Sequence, residues 1–294
     1  MKIECAMVAT NDTKEQIINV IKSANLLSEN ELEWYICPDF KVNLNYFDFL
    51  KDEITFKKLL PQIEEDKIFG ADIHGRGIDI IINNLKSKYI MICDTDVVFT
   101  YKNWDTYMIN LLNENKIIVG SETWALNDNN ERYPKVPHFY RNFPIMGPII
   151  LLDREKHLIT NTSFVKKKLI DSKVINNRPK YINKKIWIQG GQIIIDDNLE
   201  QFWPHNFNKK QNLLGGWRVP ISYMENGYKN DTLPTTKKNY HFIYTKDLKN
   251  IILVHHGGGG GEQNGKIKND ESFNEKYKLF LNHCFKLIKK QNQI

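Results

Sequence analysis

The chain has 294 residues, 41% of them hydrophobic, enough for a substantial core, and it is read as a single domain, 1–294. Its 41 Lys and Arg are interspersed with 35 Asp and Glu, so the net charge of +6 forms no block of one sign, which excludes a nucleic-acid tail. No apolar stretch is long enough to span a bilayer, and Cys5, Cys37, Cys93 and Cys284 lack metal-ligand spacing and read as reduced core thiols. A cytoplasmic protein without signal peptide or transmembrane segment is therefore expected.

In chain order, Lys2 to Thr10 reads as a strand, and Asn11-Asp-Thr-Lys-Glu15 offers an N-cap with Glu15 three residues after Asp12. Ile17, Ile18, Val20, Ile21 and Ala24 then form the apolar face of a helix, and Glu31 to Cys37 forms the next strand, ending at Pro38-Asp39. Strand, helix and strand at this spacing make a βαβ unit with a parallel pair. An aromatic-rich segment from Phe40 to Phe69 leads to Gly70-Ala-Asp-Ile-His-Gly-Arg-Gly77, read as turn-rich, and to a helix from Ile78 to Leu85. The strand Tyr89 to Cys93 follows, then a helix from Trp104 to Asn113 and a strand from Lys116 to Ser121.

The second half is less regular. It holds a Pro- and aromatic-rich span from Tyr133 to Pro148, a strand from Ile149 to Leu152, and a basic stretch around Lys166 to Lys173. Trp187 to Ile195 and a strand from Asn250 to His256 come next, then five glycines, Gly257 to Gly261. An amphipathic helix from Glu271 to Lys290 closes the chain, with Phe273, Tyr277, Phe280, Leu281, Cys284, Phe285 and Ile288 expected to dock on the body.

The stretch Lys88-Tyr-Ile-Met-Ile-Cys-Asp-Thr-Asp-Val-Val-Phe-Thr100 carries the chemistry. An uninterrupted apolar run reads as a strand buried on both faces of an α/β sheet, and ligands gather beyond the carboxyl ends of such strands. Asp94 and Asp96 fall there. Residues two apart on a strand point the same way, so the pair can share one divalent cation and leave coordination positions for a diphosphate. Late in the chain Ile251-Ile-Leu-Val-His-His256 ends a strand in two imidazoles, of which one at most faces inward.

With these residues the first half, about 1–125, resembles GT-A type glycosyltransferases. The resemblance rests on Met7-Val-Ala-Thr-Asn11, Pro38-Asp39, His74-Gly-Arg-Gly-Ile-Asp79 and Asp94-Thr-Asp96, in that order. It implies an α/β, GT-A-like (Rossmann-like) fold with a central mostly parallel sheet flanked by helices. Residues 1–121 would bind the nucleotide sugar, and 122–294 would form the less regular acceptor-binding half with the C-terminal helix. By that comparison Ala9, Thr10, Asn11 and Asp39 hold the nucleoside, and His74, Gly75, Arg76 and Asp79 stand beside the donor. Asp96 ligates the metal directly, while Asp94 and Thr95 lie nearer the ribose and sugar and Asp94 shares the ion. A third ligand comes from His255, with His256 as the alternative.

The implied cofactor is Mn²⁺ or Mg²⁺, and the implied partners are a nucleotide-sugar donor, UDP-linked, and a saccharide or glycoconjugate acceptor, with no nucleic acid. Lys266, beyond the glycines, is the candidate to neutralise the departing diphosphate. An inverting reaction needs a carboxylate base, and the family's Glu-Asp or Asp-Asp pair has no counterpart at the expected place. Glu225 is preferred over Asp231 and the pair Asp196-Asp197. Trp124, Trp187, Trp203 and Trp217 are candidates to stack on acceptor sugar. Two other readings stand beside this one. A sugar-nucleotide-forming nucleotidyltransferase would carry a Gly-rich basic loop after the first strand, which Met7-Val-Ala-Thr-Asn-Asp lacks. A non-catalytic carbohydrate-binding relative would keep the fold without turnover.

Overall fold

The computed structural model describes residues 1–64, 70–112, 114–121, 147–164, 186–189, 192–195, 219, 223, 226–237, 239–257 and 271–292; for 70–73, 186–189, 192–195, 237 and 271–273 it describes the backbone alone. Strands β1 (Lys2–Ala9) and β2 (Glu31–Pro38) pair in parallel from Lys2↔Glu31 to Ala9↔Pro38, joined by α1 (Lys14–Leu27). The βαβ unit expected from the spacing is there.

The helix start differs from the expected capping box. Thr13 is the N-cap and Asp12 takes a left-handed φ of 65°. The Thr13 hydroxyl turns back to the Thr10 carbonyl at 2.7 Å, and the Lys14 N–H donates to the Tyr46 hydroxyl at 2.8 Å. A tyrosine from a distant turn thus satisfies one of the open N–H groups of the first helical turn.

Beyond a 3-10 turn (Leu44–Leu50), β3 (Phe56–Leu59) pairs with β2 in parallel. Helix α2 then runs from Gly70 to Asn84. The stretch 70–77, read as turn-rich, is therefore helical, and Gly77 shows why a glycine stands in a helix interior at a propensity cost of about 1 kcal/mol. A Cβ on Gly77 would lie 2.3 Å from Val8 Cγ2 and 3.3 Å from Ile63 Cδ1. The missing side chain lets α2 lie down on β1.

Strand β4 (Tyr89–Cys93) pairs in parallel with β1. After β5 (Val97–Phe99) and α3 (Trp104–Leu111) come β6 (Lys116–Ser121), β7 (Ile149–Asp153) and α4 (Arg154–Ile159). A hairpin of β8 (Ile186–Gln189) and β9 (Gln192–Ile195) precedes β10 (Lys229–Leu233). The main sheet has the order β10-β6-β7-β4-β1-β2-β3 and is mostly parallel, with β7 antiparallel to both its neighbours. Period-two alternation divides its side chains between two cores: Cys5, Met7, Met91 and Cys93 face α1, and Ala6, Ile90 and Ile92 face α2 with Ile78, Ile81 and Ile82. All four cysteines are free and buried, and burial raises each thiol above its ordinary value, as suits inert core residues.

A second, antiparallel sheet was not foreseen from the pattern. Strands β11 (Thr235–Lys237), β12 (His241–Tyr244) and β13 (Ile251–His255) meander onto β5 in the order β11-β12-β13-β5. Helix α5 (Glu271–Asn292) buries Tyr277, Phe280, Cys284 and Ile288. Phe285, expected on that docking face, is 51% exposed, because the 3.6-residue period through those four positions carries it outward. The side chain of Phe273 lies outside the described residues. Among the described residues no helix is long and apolar enough to cross a membrane.

On the α2 side of the main sheet, His157 of α4 is 4% exposed, with its Nδ1 2.5 Å from the Tyr223 hydroxyl, and burial depresses its pKa to about 4. Unfolded, the ring titrates near 6.5. Above that pH both states are neutral; below it the unfolded chain takes up a proton that the fold refuses. Stability should therefore fall as pH drops from about 6.5 to 4, by about 3 kcal/mol from this residue. Urea unfolding across that range, compared between wild type and His157→Phe, checks it: the variant should lose less stability in acid.

Candidate active site

Three strands end side by side at one edge of the main sheet. β1 ends in Ala9-Thr10-Asn11, β2 in Pro38-Asp39 and β4 in Asp94-Thr95-Asp96. The first two exits are tied together, since the Asp39 N–H donates to the Ala9 carbonyl at 2.9 Å. Gln62 braces the second loop by donating to the carbonyls of Asp39 and Val42 at 2.8 Å each. Burial raises the Asp39 carboxyl above its ordinary pKa, against the Phe40 N–H it accepts at 2.5 Å. Ala9 is buried, Thr10 partly buried and Asn11 exposed.

Asp94, Thr95 and Asp96 form the turn between β4 and β5, rather than continuing a strand as the alternation argument assumed. They converge because this turn crosses from one sheet to the other and is held at both ends. The Asp94 N–H donates to the Pro148 carbonyl, and the Asp96 carbonyl accepts from the His256 N–H, each at 3.0 Å. The second of these bonds links the acidic turn to the end of β13. His255 Nε2 then lies 3.1 Å from Asp96 Oδ1 and 3.6 Å from Asp94 Oδ2. The Asp96 side chain is 2% exposed and that of Asp94 30%, so the site is open on the Asp94 side.

Of the two adjacent imidazoles, the structure turns His255 toward the carboxylates. His256 faces the other way and packs against Tyr240, Tyr277 and Phe280. Burial raises the Asp94 pKa, as does the charge of Asp96, while His255 and His74 act against the rise. For His255, burial lowers the pKa, but the charge and hydrogen bond of Asp96, with Asp94 behind it, outweigh that and leave it raised.

Asp94, Asp96 and His255 place one donor atom each within 4.8 Å of one another. Donors this close together could share one small divalent cation. Hard carboxylate oxygens with one imidazole suit Mg²⁺ or Mn²⁺ chemistry. The residues fit the group that the resemblance implied.

His74 lies in α2, near enough for its charge to act on Asp94. Gly75 is buried and Arg76 partly buried in the same helix. Asp79 is five residues beyond His74, about 7.5 Å along the axis, and is engaged within the chain. It accepts from the Ser163 hydroxyl at 2.5 Å and the Phe164 N–H at 2.8 Å. Asp231, one of the base candidates, is held by Lys116 at 2.5 Å and by Lys246; burial would raise its pKa, but these two ammonium groups hold it low. Glu225, Lys266, Asp196, Asp197, Trp124, Trp203 and Trp217, Gly258 to Gly261 and the stretch around Lys166 to Lys173 lie outside the described residues, as does the side chain of Trp187.

One nearby residue escaped the sequence reading. His241 of β12 stands opposite His255 in register, with the two rings edge to face at 5.2 Å. Its Nε2 would be 3.6 Å from a Cβ on Gly257, which has a φ of 77°. His255 Nδ1 is buried without a hydrogen-bond partner among the described residues, so its ring is oriented by Asp96 on one side and by packing on the other. The only sequence signal was a lone histidine opening a short strand, and its meaning depends on a cross-strand register that periodicity does not supply.

No family model and no curated protein matches the chain. Among solved structures it is similar to the apo structure of the bifunctional glycosyltransferase WbbM at 8% identity and a TM-score of 0.38, covering 54% of this chain and 32% of that one. It is similar to the mannosyltransferase PcManGT from Pyrobaculum calidifontis, in complex with GDP-Man and Mn²⁺, at 11% and 0.38, covering 53% and 46%. It is also similar to glucosyl-3-phosphoglycerate synthase from Mycobacterium tuberculosis, in complex with Mn²⁺, UDP and phosphoglyceric acid, at 13% and 0.36, covering 53% and 56%.

The chain is similar to glycosyltransferases of the GT-A type. It spans from about a third to just over half the length of these structures.

Proposed function

We propose that this protein is a divalent-metal-dependent glycosyltransferase that moves a sugar from a nucleotide diphosphate donor, UDP-linked, to a saccharide or glycoconjugate acceptor. The observation that carries the reading is the meeting of Asp94, Asp96 and His255 at the strand edge where the exits of β1 and β2 also lie. That edge is where ligands bind in open α/β sheets. A bound Mn²⁺ or Mg²⁺ would act as a Lewis acid on the departing diphosphate.

The chain's own groups divide the remaining work. Asp96, nearly buried, and His255 would hold the ion from within, while Asp94, the more exposed carboxylate, would share it and reach toward the ribose and sugar beside Thr95. Ala9, Thr10, Asn11 and Asp39 receive the nucleoside, the Asp39 carboxylate accepting from base N–H or ribose hydroxyls. His74, Gly75 and Arg76 stand on the donor side of α2. Asp79 serves there indirectly, through its bonds to Ser163 and Phe164. Glu225 is the proposed acceptor base and Lys266 the proposed neutraliser of the leaving group.

Thermal-shift titration tests the reading. A ligand at a hundredfold excess over its Kd adds about 2.7 kcal/mol to the native state, a rise of several degrees in Tm. UDP with Mn²⁺ should produce that rise, and UDP alone or Mn²⁺ alone should produce much less. Equal shifts with and without metal would count against it. Donor hydrolysis under the same conditions separates a transferase from a sugar-binding relative.

A further inference from the structure

Opposite its buried stripe, α5 presents Lys276, Lys278, Lys286, Lys289 and Lys290, all exposed, with Glu275 the one exposed acid among the described residues of the helix. None of the five forms an ion pair with a described residue, whereas Lys2, Lys57, Lys116, Lys156 and Lys246 elsewhere do. Two large apolar side chains stand among these ammonium groups: Leu279, 65% exposed, and Phe285, 51% exposed. Leu279 lies three residues from Lys276 and seven from Lys286, and Phe285 four from Lys289 and seven from Lys278, so each shares a helical face with two lysines.

The helix is rigidly mounted. Gln291 accepts from the Ile251 N–H at 2.6 Å, and Asn292 donates to the Thr100 carbonyl at 2.9 Å. Its other half packs Tyr277 and Phe280 against His256, next to the acidic turn. A purely polar polyanion would answer the lysines but not the two apolar side chains. An anionic bilayer answers both, because lysine ammonium groups reach headgroup phosphates while their stems and neighbouring apolar side chains lie at the acyl boundary. We propose that the outward face of α5 docks this protein reversibly on an anionic lipid surface, through Lys276, Lys278, Lys286, Lys289 and Lys290 with Leu279 and Phe285. The docking is independent of the catalytic reading, and either can fail alone.

Co-sedimentation of the full chain with vesicles tests it, comparing phosphatidylcholine alone with phosphatidylcholine containing about a third phosphatidylglycerol. The protein should pellet with the anionic vesicles only, and binding should fall roughly tenfold or more in about 0.5 M salt. The double variants Lys286→Glu/Lys290→Glu and Lys276→Glu/Lys278→Glu should each weaken binding roughly tenfold, with melting curves and donor hydrolysis unchanged. Leu279→Ser/Phe285→Ser should weaken it several-fold at constant charge. No binding to anionic vesicles, equal binding to neutral ones, or charge-reversed proteins that bind like wild type would overturn the proposal. So would an unaltered Leu279→Ser/Phe285→Ser variant, which would mark the face as a general polyanion surface.

Discussion

Asp96→Ala is expected to reduce metal-dependent donor turnover by about a thousandfold or more, a loss of about 4 kcal/mol of transition-state stabilisation. Asp96 is the most enclosed donor of the cluster, 2% exposed and 3.1 Å from His255, and its removal takes away a metal ligand and the hydrogen bond that orients the imidazole. Asp94→Ala leaves both of those in place, since Asp94 is 30% exposed and stands 3.6 Å from the ring. Its effect should be smaller on Mn²⁺ affinity than on donor affinity. Wild-type Mn²⁺ affinity should also weaken as pH falls: the two carboxylates raise the His255 pKa, and a cation entering the site must displace that proton. Donor hydrolysis measures the first effect, isothermal titration of Mn²⁺ and then of UDP the second, and Mn²⁺ titration at several pH values the third, with circular dichroism to confirm folding. An Asp96→Ala protein that binds Mn²⁺ like wild type would remove the metal site from the proposal.

The first half of the chain was legible because its elements are spaced by local rules. β1, β2 and β4 are short, largely apolar runs buried on both faces and bounded by turn residues, and α1 carries a 3.6-residue period, so their order and the position of Asp94 and Asp96 could be read directly. What failed was decided by distant partners. The α1 start moved because the Tyr46 hydroxyl meets the Lys14 N–H, 32 residues away in sequence. The glycines at 75 and 77 read as a turn, but Gly77 is a packing residue whose neighbour is Val8. β5 is only three residues long, too short to show a period, and it exists because β13 and α1 enclose it.

The same distinction runs through the site. The two carboxylates were found for their spacing, yet they converge through a turn between sheets. His255 could be preferred over His256 only by resemblance, because adjacent strand residues differ in facing and nothing local says which is inward. The pairing of β13 with β5, with His255 opposite Val97, supplies that answer.

That pairing makes the segment after the acidic turn important, and it points to the residue whose loss should cost the most stability. Asp105, in the first turn of α3, is fully buried. Its carboxylate accepts from the Glu29 N–H at 3.0 Å, the Asn30 N–H at 2.7 Å and the Asn30 side-chain amide at 2.9 Å. Alongside, the Trp104 indole donates to the Ala24 carbonyl at 3.1 Å and the Asn103 N–H to the Leu27 carbonyl at 2.6 Å. Together these bonds staple the start of α3 to the end of α1, and β5, one turn upstream, is fixed by the Ser23 hydroxyl accepting from the Phe99 N–H at 3.1 Å. Asp105→Ala removes a charged acceptor and strands two backbone donors and an amide, at an expected cost of about 4 kcal/mol. Asp105→Asn keeps one acceptor oxygen and should cost less than half as much. Because β5 leads directly out of Asp96, the alanine variant should also hold Mn²⁺ more loosely at temperatures well below its Tm. Urea unfolding together with Mn²⁺ titration measures both, and unchanged stability in Asp105→Ala would mean that this carboxylate is not what anchors the acidic turn to α1.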